Sequence, residues 1–534
     1  MKEFNIAGLC VPEKHYMVDI SDRVQEIRKK LVDKGKYFCI NRARQYGKTT
    51  TLAALKRNLQ DKYIVVSLDF QKIGDGVFHS EGEFTQALAR LFSDAAEFEH
   101  VPIPEKYLGR FEEMNSGDPK RVKMDEIFRE FKRWCLESEK PVVLIIDEVD
   151  SATNKQVFLD FLAQLREGYL SRESDGVPTF ASVILSGVTD VKNLKRKLRP
   201  EESHKVNSPW NIAVPFTMEM SLPRAGVEKM LDEYAKDHHF TFDTGTVAAV
   251  IDEYTSGYPF LVSSICRTMD TELVGSSKRF KSRKNVWTPV GVGEAVRRML
   301  EDSNTLFDSL HKQILENEEL EKLIRRILFA GERFSYSPAV LPMEDAVMHG
   351  FVTKKKGAIT IANRIFETRL YNYYLTVDEM KSTPAFQAGV NDKEQFVKGG
   401  KLLMDKLLSH YVTVFDDLYG ESEERFSEDE GRRRFLLYIR PIINGTGNYY
   451  IEAETRNSRR MDLVIDYLGE QFIVELKIWG GKAYHTKGED QLADYLESKH
   501  LAKGYLLTYS FNKKKTPGVE RKQVRGKEIV EVFV

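Results

Sequence analysis

Apolar residues in the first half of the chain fall into short unbroken runs. Tyr37-Phe38-Cys39-Ile40, Tyr63 to Leu68, Pro141 to Ile146 and Ala181 to Leu185 are the clearest. Runs this short, without polar alternation, predict strands covered on both faces, as in a parallel sheet. After the first run, Thr50 to Leu59 carries apolar residues at helical spacing. Thr255-Ser256-Gly257-Tyr258-Pro259-Phe260-Leu261 opens a further amphipathic helix. Residues 300–380 are helix-rich, with an amphipathic stretch from Glu319 to Phe329 ended by Gly331. Ala346 to Thr353 and Ala358 to Ile361, joined by Lys354-Lys355-Lys356-Gly357, predict two short strands after helices, the pattern of a winged helix. Such a wing either binds DNA or packs against a neighbouring domain as part of a lid. Ser382-Thr383-Pro384 predicts a linker. Toward the C-terminus the pattern changes to alternation: Asn448 to Glu454, Met461 to Tyr467 and Gln471 to Lys477 predict three strands, with turns at Thr455 to Ser458 and Leu468 to Glu470.

Composition bounds these elements. A chain of 534 residues accommodates about three or four domains. An apolar fraction of 42% supplies real cores, and a formal charge of -1 restricts any nucleic-acid surface to a local patch. The four cysteines, Cys10, Cys39, Cys135 and Cys266, form no CxxC pair and read as thiols of a reducing compartment. No signal-peptide pattern opens the chain, and no run of about 18 apolar residues predicts a membrane span. A cytoplasmic location is expected.

Strand, glycine-lysine loop and helix follow one another at Tyr37 to Leu59, the context a phosphate-binding loop requires. Backbone N–H groups from Gly47 to Thr50 would cradle phosphates, Lys48 would reach the outer ones, and the Thr49 hydroxyl would hold magnesium. The usual pattern has glycine at the position of Arg42, so Arg42 or Arg44 is expected near phosphate. Asp147 and Glu148 end the strand Val142 to Ile146, where ligands bind in open α/β sheets. Asp147 would hold the magnesium shell and Glu148 would polarise the attacking water. Ser186 to Thr189 ends another strand, at a place where a polar residue senses a γ-phosphate or simply turns the chain.

The string Arg42-Ala43-Arg44-Gln45-Tyr46-Gly47-Lys48-Thr49-Thr50 resembles the bacterial AAA-ATPase-like family, whose loops often carry arginine for the first glycine. Leu144 to Asp150, Ser208 to Ala213 and Gly257-Tyr258-Pro259 match as well. The resemblance covers roughly the first half and implies that the Gly-x-Pro turn lies in a lid facing the nucleotide.

In the C-terminal region, a hairpin turning at Leu468 and Gly469 sets Asp462 opposite Glu475, with Cβ atoms about 4.5–5.5 Å apart. Lys477, two residues on, shares that face. Adjacent carboxylates repel unless a cation lies between them, and Mg²⁺ suits an all-oxygen site. Gln491 and Tyr495, four apart, share a helix face. Arg459 to Leu463, Glu475-Leu476-Lys477, Gly481 to Tyr484 and Gln491 to Leu496 together resemble the PD-(D/E)XK nuclease superfamily, in the branch attached to AAA-ATPase-like proteins. The resemblance implies a further metal-supporting acid on the preceding helix. Glu430 fits best and Glu428 competes. The family's proline before the first acid is Met461 here.

The expected protein is multidomain α/β. It has a P-loop AAA-type ATPase core over 1–225, a helical lid over 226–300, a winged-helix-like domain over 301–380 and a PD-(D/E)XK nuclease fold over 381–534. ATP and Mg²⁺ are the expected cofactors. Catalysis falls to Glu148, Asp462, Glu475, Lys477, Gln491 and Tyr495; nucleotide binding to Arg44, Gly47, Lys48, Thr49, Thr50 and Asp147; metal binding to Thr49, Asp147, Glu430, Asp462 and Glu475. The expected partner is nucleic acid, DNA first, with no membrane and with self-association left open. The rivals are a nucleotide-switched scaffold whose nuclease fold only grips nucleic acid, and a catalytically silent ATPase switch.

Overall fold

The computed structural model describes all residues except 1, 154, 189–209, 303, 330–331, 333, 338–339, 356, 377–382, 393–394, 421–424, 427, 444–446, 451–462, 469, 499–500 and 513–515. Two compact units are formed: Met1–Met230 with Tyr258–Phe260 and Met348–Gly350, and the remainder of the chain. Among the described residues no helix is long and apolar enough to cross a membrane.

The first unit is built on a parallel sheet of β1 (Phe38–Asn41), β2 (Ile64–Asp69), β3 (Val142–Asp147) and β4 (Ser182–Gly187), in the order β1-β4-β3-β2. Alternation explains the unbroken apolar runs. Val142, Leu144 and Ile146 belong to one buried cluster with Phe84, Phe131 and Phe161 from helices Glu81–Glu99, Met124–Glu137 and Gln156–Asp175. Val143 and Ile145 belong to another, with Ile27 of helix Ser21–Lys30 and Leu52, Leu55 and Leu59 of helix Lys48–Leu59. Both faces are covered, so both parities must be apolar. The parity has a functional consequence. Asp147 continues the row of Val143 and Ile145, and therefore ends β3 on the side of the helix that follows the loop.

The second unit holds helices, three small strands and a larger sheet. β5 (Phe334–Ser335), β6 (Val352–Lys355) and β7 (Ala358–Ile361) pair antiparallel in the order β5-β7-β6. The two expected strands pair, but the first is shorter than expected. Ala346 to Met348 belong to helix Leu341–Met348, and Gly350, at φ 75°, turns the chain before β6. The expected linker is partly structural too. Pro384 opens helix Pro384–Asp392, and the Thr383 hydroxyl accepts from the Phe386 N–H at 3.4 Å. That helix lies so near helix Glu428–Ile443 that a Cβ on Gly389 would stand 2.0 Å from the Tyr438 carbonyl.

A two-residue hairpin, β8 (Val397–Lys398) and β9 (Lys401–Leu402), precedes the larger sheet. The sheet comprises β10 (Gly447–Tyr450), β11 (Leu463–Tyr467), β12 (Glu470–Ile478), β13 (Lys503–Tyr509), β14 (Gly518–Val524) and β15 (Lys527–Phe533). Its order is β10-β11-β12-β13-β15-β14, antiparallel over the first three strands and parallel from β12 to β13 and β13 to β15. Helix Lys482–Ser498 makes the crossover that a parallel β12-β13 pair requires. It buries Leu492, Ala493, Tyr495 and Leu496 against Val464, Ile473, Leu506 and Ile529. β11 and β12 pair from Leu463 with Val474 to Tyr467 with Glu470, the register expected from a turn at Leu468.

Candidate functional sites

At the end of β1 the chain turns through Arg42 to Gly47. The left-handed residues of this loop are Gln45 (φ 56°) and Gly47 (φ 78°), and Arg42 is not among them. Glycine is therefore not needed at position 42. The Arg42 side chain is also not directed as expected. Its guanidinium donates to the carbonyls of Asn41 at 3.0 Å and Met218 at 2.9 Å, and lies 5.1 Å from the ring centre of Phe216. Arg42 ties the root of the loop to the segment beyond β4, while Arg44 is exposed.

Lys48 opens the helix, 7% exposed, and donates to the carbonyls of Arg42 and Ala43 at 3.0 Å each. Burial holds its ammonium below the usual lysine range, against the opposing pull of Glu148, Asp150 and Asp147. The Thr49 hydroxyl donates to Asp147 Oδ2 at 2.9 Å, the meeting that strand parity dictated. Thr50 is turned elsewhere: its hydroxyl accepts from the Cys10 N–H at 3.3 Å. Glu148 sits in the left-handed region at φ 54°, its N–H donating to Asp147 Oδ1 at 3.0 Å. Burial pushes its carboxyl above the ordinary glutamate range, partly offset by Lys48. Ser186, on the central strand beside Ile40, is buried with no partner for its hydroxyl. Thr189, Ser208 and Pro209 lie outside the described residues.

Two residues here carry more than their sequence pattern indicated. Tyr258 of the Gly-x-Pro turn is buried, donates to the Arg44 carbonyl at 2.5 Å and meets Tyr46 edge-on with ring centres 4.7 Å apart. Asp150 accepts from the Val188 N–H at 2.6 Å, pinning the end of β4 to the turn after β3. Neither pairing had a local signal, because the partners are 214 and 38 residues apart.

Residues 11–272 match the family model of the AAA-like domain. Over those residues the chain is similar to an AAA-like domain. Its first unit is a P-loop ATPase-like core of mixed α/β fold. Among solved structures, the chain is similar to a Walker-type ATPase of Pyrococcus abyssi at 13% identity, covering 69% of this chain and 99% of that one, with a TM-score of 0.46. It is similar to an Aeropyrum pernix ORC2 protein solved as ADPNP–ADP complexes at 11% identity, covering 67% and 94%, with a TM-score of 0.36. It is also similar to a Thermotoga maritima RuvB at 11% identity, covering 67% and 95%, with a TM-score of 0.31. No match was found among curated proteins. The family match ends at residue 272 and says nothing of the C-terminal sheet.

A second cluster lies on that sheet. Ile473, Glu475 and Lys477 alternate along β12, so the two charged residues share the face covered by helix Lys482–Ser498. Glu475 is fully buried, with Lys477 Nζ 2.9 Å from its Oε1. The third member is Glu428, at the start of helix Glu428–Ile443. Its Oε2 lies 3.8 Å from Lys477 Nζ, and its Oε1 accepts from the Ile478 N–H at 3.3 Å and the Tyr484 hydroxyl at 3.0 Å. Glu430, expected in this place, instead pairs with Arg433 at 3.1 Å and Arg434 at 3.2 Å on its own helix. Two residues along a helix turn the side chain to nearly the opposite side, which is why Glu428 and not Glu430 meets Lys477. Tyr495 packs in the core with Leu492 and Val464, whereas Gln491 is half-buried. Asp462 lies outside the described residues.

Proposed function

We propose that this chain binds ATP with magnesium at the Arg42–Thr50 loop, hydrolyses it, and cleaves nucleic acid, DNA first, at the Glu428–Glu475–Lys477 cluster. What carries the nuclease reading is the fully buried Glu475, held 2.9 Å from a lysine that also faces Glu428. A buried carboxylate is costly without compensating charge. Two acids and a lysine converging beside a helix that covers the sheet suit the binding of a cation next to a phosphodiester.

Both donor sets are hard oxygens, the kind magnesium accepts. At the nucleotide, Thr49 and Asp147 would hold it. At the sheet, Glu428 and Glu475 would, with Asp462 the further acid expected from the sequence. Bound there, magnesium supplies Lewis acidity and lowers the pKa of water. The chain's own groups do the remainder. Lys48 exchanges its two loop carbonyls for phosphate oxygens. Glu148, with its raised carboxyl pKa, accepts a proton from water aimed at the γ-phosphate. Lys477 places a positive charge where the cleaved phosphate gains negative charge.

The test is magnesium- and manganese-dependent cleavage of single- and double-stranded DNA and RNA, with ATP, with ADPNP and without nucleotide. Wild type is expected to cut. Glu475→Gln and Lys477→Met are expected to bind nucleic acid and not cut, because phosphate contacts elsewhere supply most of the affinity. Wild-type protein that binds nucleic acid yet cuts nothing under every one of these conditions would sink the nuclease reading and favour the scaffold.

A further inference from the structure

A second polar cluster lies inside the C-terminal fold, outside the cluster assigned to cleavage. His485 and Glu489 stand one turn apart on helix Lys482–Ser498, and Glu531 lies opposite on β15. Glu475 pairs with Leu506 and Leu506 with Glu531, so the two acids occupy one row of the sheet, separated by the intervening strand β13. His485 Nε2 is 3.1 Å from Glu531 Oε1 and 3.9 Å from Glu489 Oε1. One ligand atom from each of the three residues lies within 4.8 Å of the other two.

The arrangement brings together a buried and a largely buried carboxylate and requires a cation beside them. Glu531 is fully buried and His485 is 6% exposed. Glu531 Oε2 is buried without a well-formed hydrogen bond, although Lys522 Nζ stands 2.7 Å from it. That ammonium also lies 3.0 Å from Glu489 Oε1. Lys522 reaches in from β14, the outermost strand, with its side chain 41% exposed. It is a flexible cation that can withdraw to solvent, and it occupies the spot where a fixed cation would neutralise both carboxylates. The imidazole is held in place by aromatic rings, Trp479 at 5.1 Å and Phe533 at 5.3 Å between ring centres.

We propose that His485, Glu489 and Glu531 form a binding site for a divalent transition metal of the zinc class, with Lys522 as its placeholder when the metal is absent. The chemistry of the donors selects the class. One imidazole nitrogen with two carboxylate oxygens suits zinc or cobalt, whereas magnesium takes oxygen alone. The spacing agrees. Metal–ligand bonds of about 2.0–2.2 Å in a tetrahedron put ligand atoms about 3.3–3.6 Å apart, between the 3.1 Å and 3.9 Å separations of His485 from Glu531 and Glu489. The site would brace helix Lys482–Ser498 against β15. That helix also carries Gln491, and its first turn carries Tyr484, the hydrogen-bond partner of Glu428. The role is therefore to fix the helix over the sheet face, with no part in bond cleavage.

The experiment uses the full chain, stripped of metal by chelation and titrated with Co²⁺ and then Zn²⁺. Visible Co²⁺ absorption and quenching of tryptophan fluorescence, to which Trp479 beside the site contributes, are the two readouts. Wild type is expected to take up one equivalent tightly and to release Co²⁺ to Zn²⁺ but not to excess Mg²⁺. Glu489→Gln, which keeps the side chain's size, and His485→Gln are expected to weaken uptake at least about tenfold. Glu475→Gln is expected to bind like wild type, which separates this site from the cleavage cluster. Lys522→Met is expected to bind more tightly, because the competing cation is gone. Absence of both signals in wild type, uptake in folded Glu489→Gln equal to wild type, or loss of uptake in Lys522→Met overturns the assignment.

Discussion

Replacing Lys48 by methionine isolates the charge at the nucleotide site while keeping most of the side chain's volume. The lysine is 7% exposed and donates to two loop carbonyls at 3.0 Å. Hydrogen bonds from a charged donor contribute roughly 1.5–3 kcal/mol each, but burying the ammonium opposes them. The depressed lysine pKa shows that desolvation is the largest influence here. Because desolvation opposes the two bonds, the nucleotide-free variant is expected to lose only about 1 kcal/mol of stability. With ATP the balance changes. Phosphate offers the lysine a charged acceptor, and its removal is expected to weaken binding at least tenfold, about 1.4 kcal/mol. Thermal unfolding with and without magnesium-ATP reads both quantities. At ATP a hundredfold above the wild-type dissociation constant, ligand stabilises wild type by about 2.7 kcal/mol and a tenfold weaker variant by only about 1.4 kcal/mol. Equal stabilisation of the two proteins would show that Lys48 does not face phosphate. A large loss in the nucleotide-free variant would show that the carbonyl bonds, not phosphate, are its main purpose.

Arg42→Gly restores the usual loop pattern, yet it is expected to destabilise the protein by about 2 kcal/mol or more, since it removes the Met218 bond and the Phe216 contact and adds backbone freedom. Chemical denaturation measures this, and an unchanged or higher midpoint would contradict it. Glu148→Gln is expected to bind ATP normally and hydrolyse it roughly 10²-fold more slowly, read by phosphate release. Glu428→Ala is expected to abolish cleavage while Glu430→Ala leaves it within about threefold, the reverse of the assignment made from sequence. His311 is held below its usual 6.5, chiefly by burial and also by Arg369, and its buried Nε2 lacks a partner. A histidine with a depressed folded pKa contributes stability that is present above the unfolded value and lost as pH falls through the folded one. His311→Gln should therefore flatten the fall in denaturation midpoint below pH 6.5, and a slope equal to wild type would contradict this.

Local chemistry made much of this molecule legible. The runs at Phe38–Asn41, Val142–Asp147 and Ser182–Gly187 are apolar because both sheet faces are covered, and a strand with one solvated face would have alternated. The loop after β1 and the acids after β3 follow from the same order of elements. In the C-terminal sheet, alternation and a two-residue turn were enough to set the register of β11 against β12. What sequence left open depends on which way side chains point over long separations. Arg42 turns to Met218 and away from the nucleotide site, Tyr258 reaches the Arg44 carbonyl, and Glu428 displaces Glu430 through the rotation of a helix that pattern alone does not orient. His485, Glu489 and Glu531 carry no motif at all. They meet because a parallel crossover lays a helix over β15, and only the packed sheet brings a residue 46 positions away within 3.1 Å of the imidazole. Periodicity fixes which face of an element is buried. Tertiary packing alone decides what that face meets.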